Sequence, residues 1–201
     1  PRVLFMTGFN ATWRDMIELD ERNALEPLYF PGNFGATGPY EDPLSHGTFL
    51  DKQAQFETLL SKNPQAVAFN GMAWWKVPSR YQYEILRRVR DEGMGLALLW
   101  DSGNLPDKFL RACTEDKVAR RALAELVPYE QLPGARKFGD SLKGVKQTER
   151  LINCWRLGKG RIVRCDVRTP GYWSLRWKAG YESRSAFQMN VIRWAAGEDP
   201  K

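Results

Sequence analysis

The tetrapeptide Trp100-Asp101-Ser102-Gly103 is the segment of this chain best suited to chemistry. It closes the apolar run Gly95–Trp100. The carboxyl end of a buried strand is where enzymes built from alternating strands and helices present nucleophiles and gather ligands. Here the turn offers a carboxylate and a hydroxyl, but no thiol. The three cysteines, Cys113, Cys154 and Cys165, fall elsewhere, and the one histidine, His46, lies in an early loop. A nucleophile activated by a histidine late in the chain is therefore excluded by inventory. His46 can reach the turn only across space, and a lone loop histidine is usually solvated.

Asp101 and Ser102 admit two readings. They can form a hydrogen-bonding floor for a polar ligand or a partner domain. They can also cap a following helix, a use for which Asp and Ser are favoured. Trp74 and Trp75 follow the apolar run Ala66–Asn70, and Phe9 and Asn10 follow the run Arg2–Thr7. Adjacent tryptophans at the start of a loop cannot both bury on one face. At least one is expected to be exposed or covered by a partner, and stacking on a sugar or an apolar surface is the usual use of such a ring. The alternative is that the loop 31–47 folds over them. Asn10, Trp74, Trp75, Asp101 and Ser102 are thus the candidate binding residues, with no catalytic or metal-ligating residue among them.

Other chemistry is thin. No CxxC occurs, so zinc and thioredoxin-like readings fail. Cys154 and Cys165 lie on neighbouring predicted strands and can face each other, although buried free thiols are the commoner state. Asn10-Ala11-Thr12 matches a glycosylation sequon, a tripeptide that often arises by chance. No P-loop, GxGxxG after a strand, HExxH or EF-hand spacing is present, so nothing calls for a cofactor.

The elements that must position these residues are legible from periodicity. Val3–Thr7, Ala66–Asn70, Gly95–Trp100 and Arg161–Val167 are apolar enough for strands buried on both faces. Leu28–Phe30 is a shorter strand, and Leu151–Leu157 pairs with Arg161–Val167 across Gly158-Lys159-Gly160. Helices are expected from Thr12 or Asn10, from Asp51 as cap, from a capping box of Ser79 with Gln82, across Val118–Leu126, and over Ser183–Ala196. Gly93 and Gly197 are placed to stop two of them. Strands alternating with helices predict an α/β fold: a flavodoxin-like three-layer αβα sandwich with a mostly parallel sheet and a C-terminal antiparallel hairpin.

With 201 residues and 43% hydrophobic content, the chain is one domain able to bury a full core. It starts Pro1-Arg2-Val3 with a strand already under way, which suggests a domain cut from a longer protein. No apolar run reaches the roughly 18 residues that a membrane span needs. Net charge is +6, divided into −2 over the first hundred residues and +8 over the rest. The basic residues are scattered among acids, as on a solvated or domain-contacting face. A nucleic-acid module would concentrate them, and no such module is recognisable.

Three segments carry a resemblance. Gly93–Asp101 reads GMGLALLWD, Gly158–Val163 reads GKGRIV, and Asn190–Pro200 reads NVIRWAAGEDP. Together they resemble the class I glutamine amidotransferase-like superfamily, and within it the non-glutaminase branches. Those branches include trehalose-utilisation-type proteins, the trimerisation domain of certain β-galactosidases, and accessory domains of bacterial carbohydrate-active proteins. The resemblance implies a non-catalytic bacterial accessory domain. Its expected role is packing against other domains of the parent chain, homo-oligomerisation, or carbohydrate-associated binding. Glutaminases of that superfamily place a cysteine in the turn after the fourth strand, with a histidine and a glutamate close together late in the chain. None of the three is in place here. A hydrolase using Asp101 and Ser102 is the alternative, and a nucleic-acid-binding module a weaker one.

The missing triad makes a direct prediction. The protein is expected to release no ammonia from glutamine in an assay coupled to glutamate dehydrogenase. Release that disappears when Cys113, Cys154 or Cys165 is replaced by serine would contradict it.

Overall fold

Strand β1 (Arg2–Thr7) is closed to water from its second residue onward, as are all of β3 (Ala66–Asn70) and β4 (Gly95–Leu98). Strands with no wet face need a layer of helices on each side. The computed structural model describes residues 1–7, 25–31, 34, 48–99, 102–126, 151–165 and 178–199, and shows how that requirement is met.

The remaining elements are β2 (Glu26–Pro31), α1 (Phe49–Ser61), α2 (Ser79–Glu92), α3 (Asp107–Leu110), β5 (Thr114–Glu115), α4 (Lys117–Glu125), β6 (Ile152–Leu157), β7 (Gly160–Cys165) and α5 (Lys178–Ala195). Seven strands form one sheet in the order β2-β1-β3-β4-β7-β6-β5. Strands β2, β1, β3, β4 and β7 pair in parallel, β6 runs antiparallel to β7, and β5 antiparallel to β6. The order reverses between β1 and β3. The architecture is the expected three-layer sandwich.

Alternate residues divide the core between two faces. Val3, Phe5, Ala66, Ala68, Ala97 and Leu99 join Phe187, Val191 and Trp194 of α5 and Leu123 of α4. On the other face, Leu4, Met6, Val67, Phe69, Leu96 and Leu98 meet Phe56 and Leu60 of α1 and Tyr81, Ile85 and Val89 of α2. The small side chains of β3 and β4 on the first face leave room for the bulky residues of α5.

The glycine-rich motifs have physical roles in this packing. A Cβ on Gly95 would stand 2.1 Å from the carbonyl oxygen of Ala195, so β4 and the end of α5 meet only because that position is bare. Gly158 adopts φ +57°, which an L side chain rarely takes up, and a Cβ there would stand 2.2 Å from the carbonyl oxygen of Arg90. Between the two strands' neighbours lies Arg161, whose Nη1 donates to the carbonyls of Trp194 at 3.3 Å and Glu198 at 3.1 Å. Its guanidinium also stands 5.5 Å from the Trp194 ring centroid. GKGRIV and RWAAG are therefore parts of one contact, with a cation on the carbonyl end of a helix.

Several local expectations are corrected. Thr48, not Asp51, caps α1. Asp51 instead sits three residues in and closes a capping box, its Oδ2 accepting from Thr48 N at 2.7 Å. Ser79 is the first residue of α2 rather than its cap; Pro78 occupies the cap, and Gln82 turns to the preceding loop. In α4, Ala119, Leu123 and Ala124 are buried while Val118 faces water, so the apolar stripe is rotated by one residue. The β6–β7 hairpin has two loop residues, because Leu157 already pairs with Gly160. Strand β5 gave no sequence signal, being two exposed residues long. Strand β4 covers Gly95–Leu98, and Leu99 N still donates to the Phe69 carbonyl of β3 at 2.9 Å; the expected end, Trp100, lies outside the described residues. Helix α5 starts at Lys178, before the expected Ser183. The helix expected from Thr12 or Asn10 lies outside the described residues. Cys154 and Cys165 are both buried, and no disulfide joins them. They are not register partners: Cys154 faces Val163, and Cys165 faces Ile152. Among the described residues, no helix is long and apolar enough to cross a membrane.

Two predictions follow from the packing. Gly95→Ala forces a methyl group against a backbone carbonyl and is expected to cost at least about 1–3 kcal/mol, measurable by urea denaturation. The second concerns Glu84, whose carboxylate binds Arg87 and Arg88. Arg88 in turn donates to the Leu60 carbonyl at 3.0 Å and so ties α2 to the end of α1. Hydrogen bonding from Arg87, then from Arg88, lowers the Glu84 pKa from 4.5 to about 2. A depressed carboxylate stabilises the fold above its unfolded pKa, and that contribution is lost as pH falls from about 4.5 towards 2. Thermal melts of the wild type and Glu84→Gln should therefore differ most near neutrality and converge only as pH approaches about 2.

Candidate functional site

Because β1, β3 and β4 run parallel, their carboxyl ends open on one edge, next to the reversal between β1 and β3. Open α/β sheets bind ligands at such an edge. Thr7 and Asn70 are register partners there, each 2% exposed. The Asn70 Nδ2 donor is buried without an acceptor. An unmet buried donor costs about 1–3 kcal/mol, so this position carries strain that a bound acceptor would relieve.

The loops after β3 and β4 are laced together by their own polar groups. Gly71 turns the chain with φ +72°, and residues Trp74–Lys76 form a single 3₁₀ turn before α2. Gln82 Nε2 donates to the carbonyls of Trp74 at 3.1 Å and Val77 at 2.8 Å, holding that turn against α2. Trp74 N donates to the Ser102 carbonyl at 2.8 Å, and Ser102 N to the Leu99 carbonyl at 3.1 Å. Ser102 Oγ donates to the Phe69 carbonyl at 3.0 Å. These bonds tie the two loops to each other where the strand ladder ends, the Phe69 carbonyl accepting from Leu99 N at 2.9 Å as well as from Ser102 Oγ.

This lacing separates the two tryptophans. Trp74 is 1% exposed and packs edge-on against Phe69, with ring centroids 5.4 Å apart. Its Nε1 donor is buried without an acceptor. Trp75 is 72% exposed. A Cβ on Gly103 would stand 3.8 Å from Trp75 Cδ1, so the glycine leaves the flank of the indole open, and Gly103 holds φ +75°. Lys76 Nζ lies 5.6 Å from the Trp75 ring centroid.

Of the five residues singled out from sequence, the structure brings Trp74, Trp75 and Ser102 together. Asn10 and Asp101 lie outside the described residues, as does His46. Neither reading of Ser102 is met. No helix begins there for it to cap, since the next one, α3, starts at Asp107. Nor is Ser102 an open floor for a ligand: it is 1% exposed and ties two strands together. Trp74 likewise belongs to the core. Asn70, Gln82 and Gly103 matter at this edge and were missed as site residues. The signal for Asn70 was present, as a carboxamide ending an otherwise apolar strand.

Among the described residues, the reactive groups are quiet. Ser102 directs its proton at a backbone carbonyl, which is no base. Burial raises the Cys113 thiol above its usual range, and Cys113 Sγ donates to the Phe109 carbonyl at 3.3 Å. Burial also raises the Cys154 thiol, far beyond the physiological range. Both stay protonated, and a protonated thiol is a poor nucleophile. Among the described residues, no three of His, Cys, Asp and Glu are grouped to hold a metal ion.

No family model matches this chain, and no curated protein or solved structure is significantly similar to it.

Gln82→Ala removes two hydrogen bonds worth about 1 kcal/mol each from the turn that presents Trp75. The variant is expected to lose about 1–2 kcal/mol of stability in urea and to gain hydrogen exchange at Trp74 and Val77. Unchanged exchange at both amides would mean that the turn holds itself.

Proposed function

We propose that this chain is a non-catalytic, amidotransferase-like accessory domain that binds carbohydrate at the carboxyl edge of its sheet. The observation that carries the reading is Trp75, a large ring left 72% exposed at the edge where this architecture gathers ligands. Holding an apolar ring in water is costly unless it is used. The ring is held by a built turn and is bordered by a glycine and a lysine. A flat apolar surface within a polar surround suits the face of a sugar ring better than a broad apolar interface.

The hydrolase alternative loses support because Ser102 is buried and hydrogen-bonded to a carbonyl. The nucleic-acid alternative loses support because many of the described arginines in the basic half already hold acids. Arg120 pairs with Glu115, Arg121 with Glu125, Arg156 with Asp116, and Arg161 with Asp199. Phosphate binding would have to displace those partners.

The test is affinity electrophoresis through gels containing soluble polysaccharides, with Trp75→Ala and Trp75→Phe compared with the wild type. The wild type should be retarded by at least one polysaccharide. Trp75→Ala should weaken that binding about tenfold, roughly 1.4 kcal/mol, with an unchanged melting temperature, and Trp75→Phe should recover part of it. A change of oligomeric state in Trp75→Ala, with no polysaccharide binding by the wild type, would replace this reading with one of domain packing or oligomerisation.

A further inference from the structure

The two loops that meet at the carboxyl edge differ in charge from the helix behind them. Residues 71–78 carry Lys76 and no acid. Residues 102–111 carry Lys108 and Arg111 against one carboxylate, Asp107, so the two stretches together have a net charge of +2. Lys76, Lys108 and Arg111 are all exposed. Among the described residues, no carboxylate pairs with any of the three. Helix α2, by contrast, neutralises its own cations. Arg80 pairs with Glu57, Arg87 and Arg88 with Glu84, and Arg90 with Asp91.

Lys76 stands beside the exposed indole. Its Nζ lies 5.6 Å from the Trp75 ring centroid, and both residues belong to the one 3₁₀ turn. The bond from Trp74 N to the Ser102 carbonyl, and Gly103 beside Trp75 Cδ1, bring the second loop to the same ring. The buried groups left without partners here, Asn70 Nδ2 and Trp74 Nε1, are donors as well. The edge thus surrounds one flat apolar ring with positive charge and hydrogen-bond donors.

We infer that this edge binds an acidic glycan, a chain whose sugars carry carboxylate or sulfate groups. The inference rests on the carbohydrate reading of Trp75 and names the class of sugar. A pyranose stacked on an indole lies about 3.5–4.0 Å from it. Its carboxylate or sulfate projects from the rim of the sugar ring, clear of the stacked faces. With Nζ 5.6 Å from the indole centroid, such a group falls within about 10 Å of the ammonium, a range over which charges still act at 0.1 M salt. The flexible, exposed stem of Lys76 then allows direct contact. An ammonium only donates hydrogen bonds and a carboxylate only accepts them, so the two match. A neutral sugar would make the same stacking contact and leave the charge unused. Lys108 and Arg111 add positive potential that favours further acidic units along the chain.

Binding of the intact protein to immobilised polysaccharides, read by biolayer interferometry, tests this. The probes are pairs that differ in charge: polygalacturonate against its methyl ester, and dextran sulfate against dextran. In 50 mM salt, the acidic member of at least one pair should bind about tenfold tighter than the neutral one, and 500 mM salt should remove most of the difference. Lys76→Gln should weaken the acidic member about threefold to fivefold, as for an exposed ion pair, and Lys76→Arg should retain it. Trp75→Ala should weaken it about tenfold. Lys76 is exposed and part of no core cluster, so its variants keep the fold, as a thermal melt would verify. Equal binding within both pairs, or unchanged affinity in Lys76→Gln, would overturn the inference. Acidic binding that survives Trp75→Ala would be general charge attraction and would overturn it too. Tighter binding of oligothymidylate than of either acidic polysaccharide, lost in Trp75→Ala, would replace it with a nucleic-acid site. Trp75-dependent binding of neutral polysaccharides alone would overturn the acidic class and leave the carbohydrate reading standing.

Discussion

The parallel pairing of β1 with β3, and of β3 with β4, governs the rest of the structure. Val3 through Thr7 lie opposite Ala66 through Asn70, and Ala66 through Phe69 lie opposite Gly95 through Leu98. Both faces of these strands are apolar and must be covered. Parallel strands cannot be joined by a tight turn, so the chain crosses back over the sheet between them, and those crossovers supply the covering helices. The same constraint gathers the strand ends at one edge. Every candidate residue at that edge is there because three strands stop together.

Helices cover such a sheet closely only where side chains give way. Gly95 and Gly160 let the end of α5 and the body of α2 approach the strands to within backbone contact. Arg161 then fastens the carbonyl end of α5, with its stem among core residues and its charge on carbonyl oxygens. The salt bridges around Glu84 do similar work on α2, through Arg88 to the end of α1. Surface ion pairs contribute little on average. This one gains importance because Arg88 is largely buried and also satisfies a helix-terminal carbonyl.

At the carboxyl edge, accounting for backbone hydrogen bonds determines which side chains remain free to bind. The loops after β3 and β4 satisfy each other, and that uses Ser102, Gln82 and the Trp74 amide. What is left over is the indole of Trp75 outside and the unmet donors of Asn70 and Trp74 inside. Side chains of ordinary binding chemistry thus divide into those that build the edge and those that its hydrogen bonds leave over.

The division between sequence and tertiary structure follows from range. Strand and helix identity, the helix stop at Gly93 and the sandwich architecture were legible because they depend on local periodicity and on glycine's freedom at positive φ. Adjacency of β1 and β3 is the order typical of a flavodoxin-like fold, which alternation of elements alone does not fix. Local cues failed where a distant partner competed for the same group: Gln82 serves the Trp74 turn instead of a capping box, and Ser102 serves Phe69 instead of a helix. The sequence pair Trp74-Trp75 implied that one ring would stay in water, since neighbours in a loop cannot share a pocket. Which one was decided by Phe69 and the Ser102 carbonyl, groups that reach Trp74 only after β3 and β4 have paired. The row that sets Leu98, Arg164 and Asn153 side by side had no sequence signal at all, because Leu98 lies far along the chain from the other two and the three meet only through the register of β4, β7 and β6.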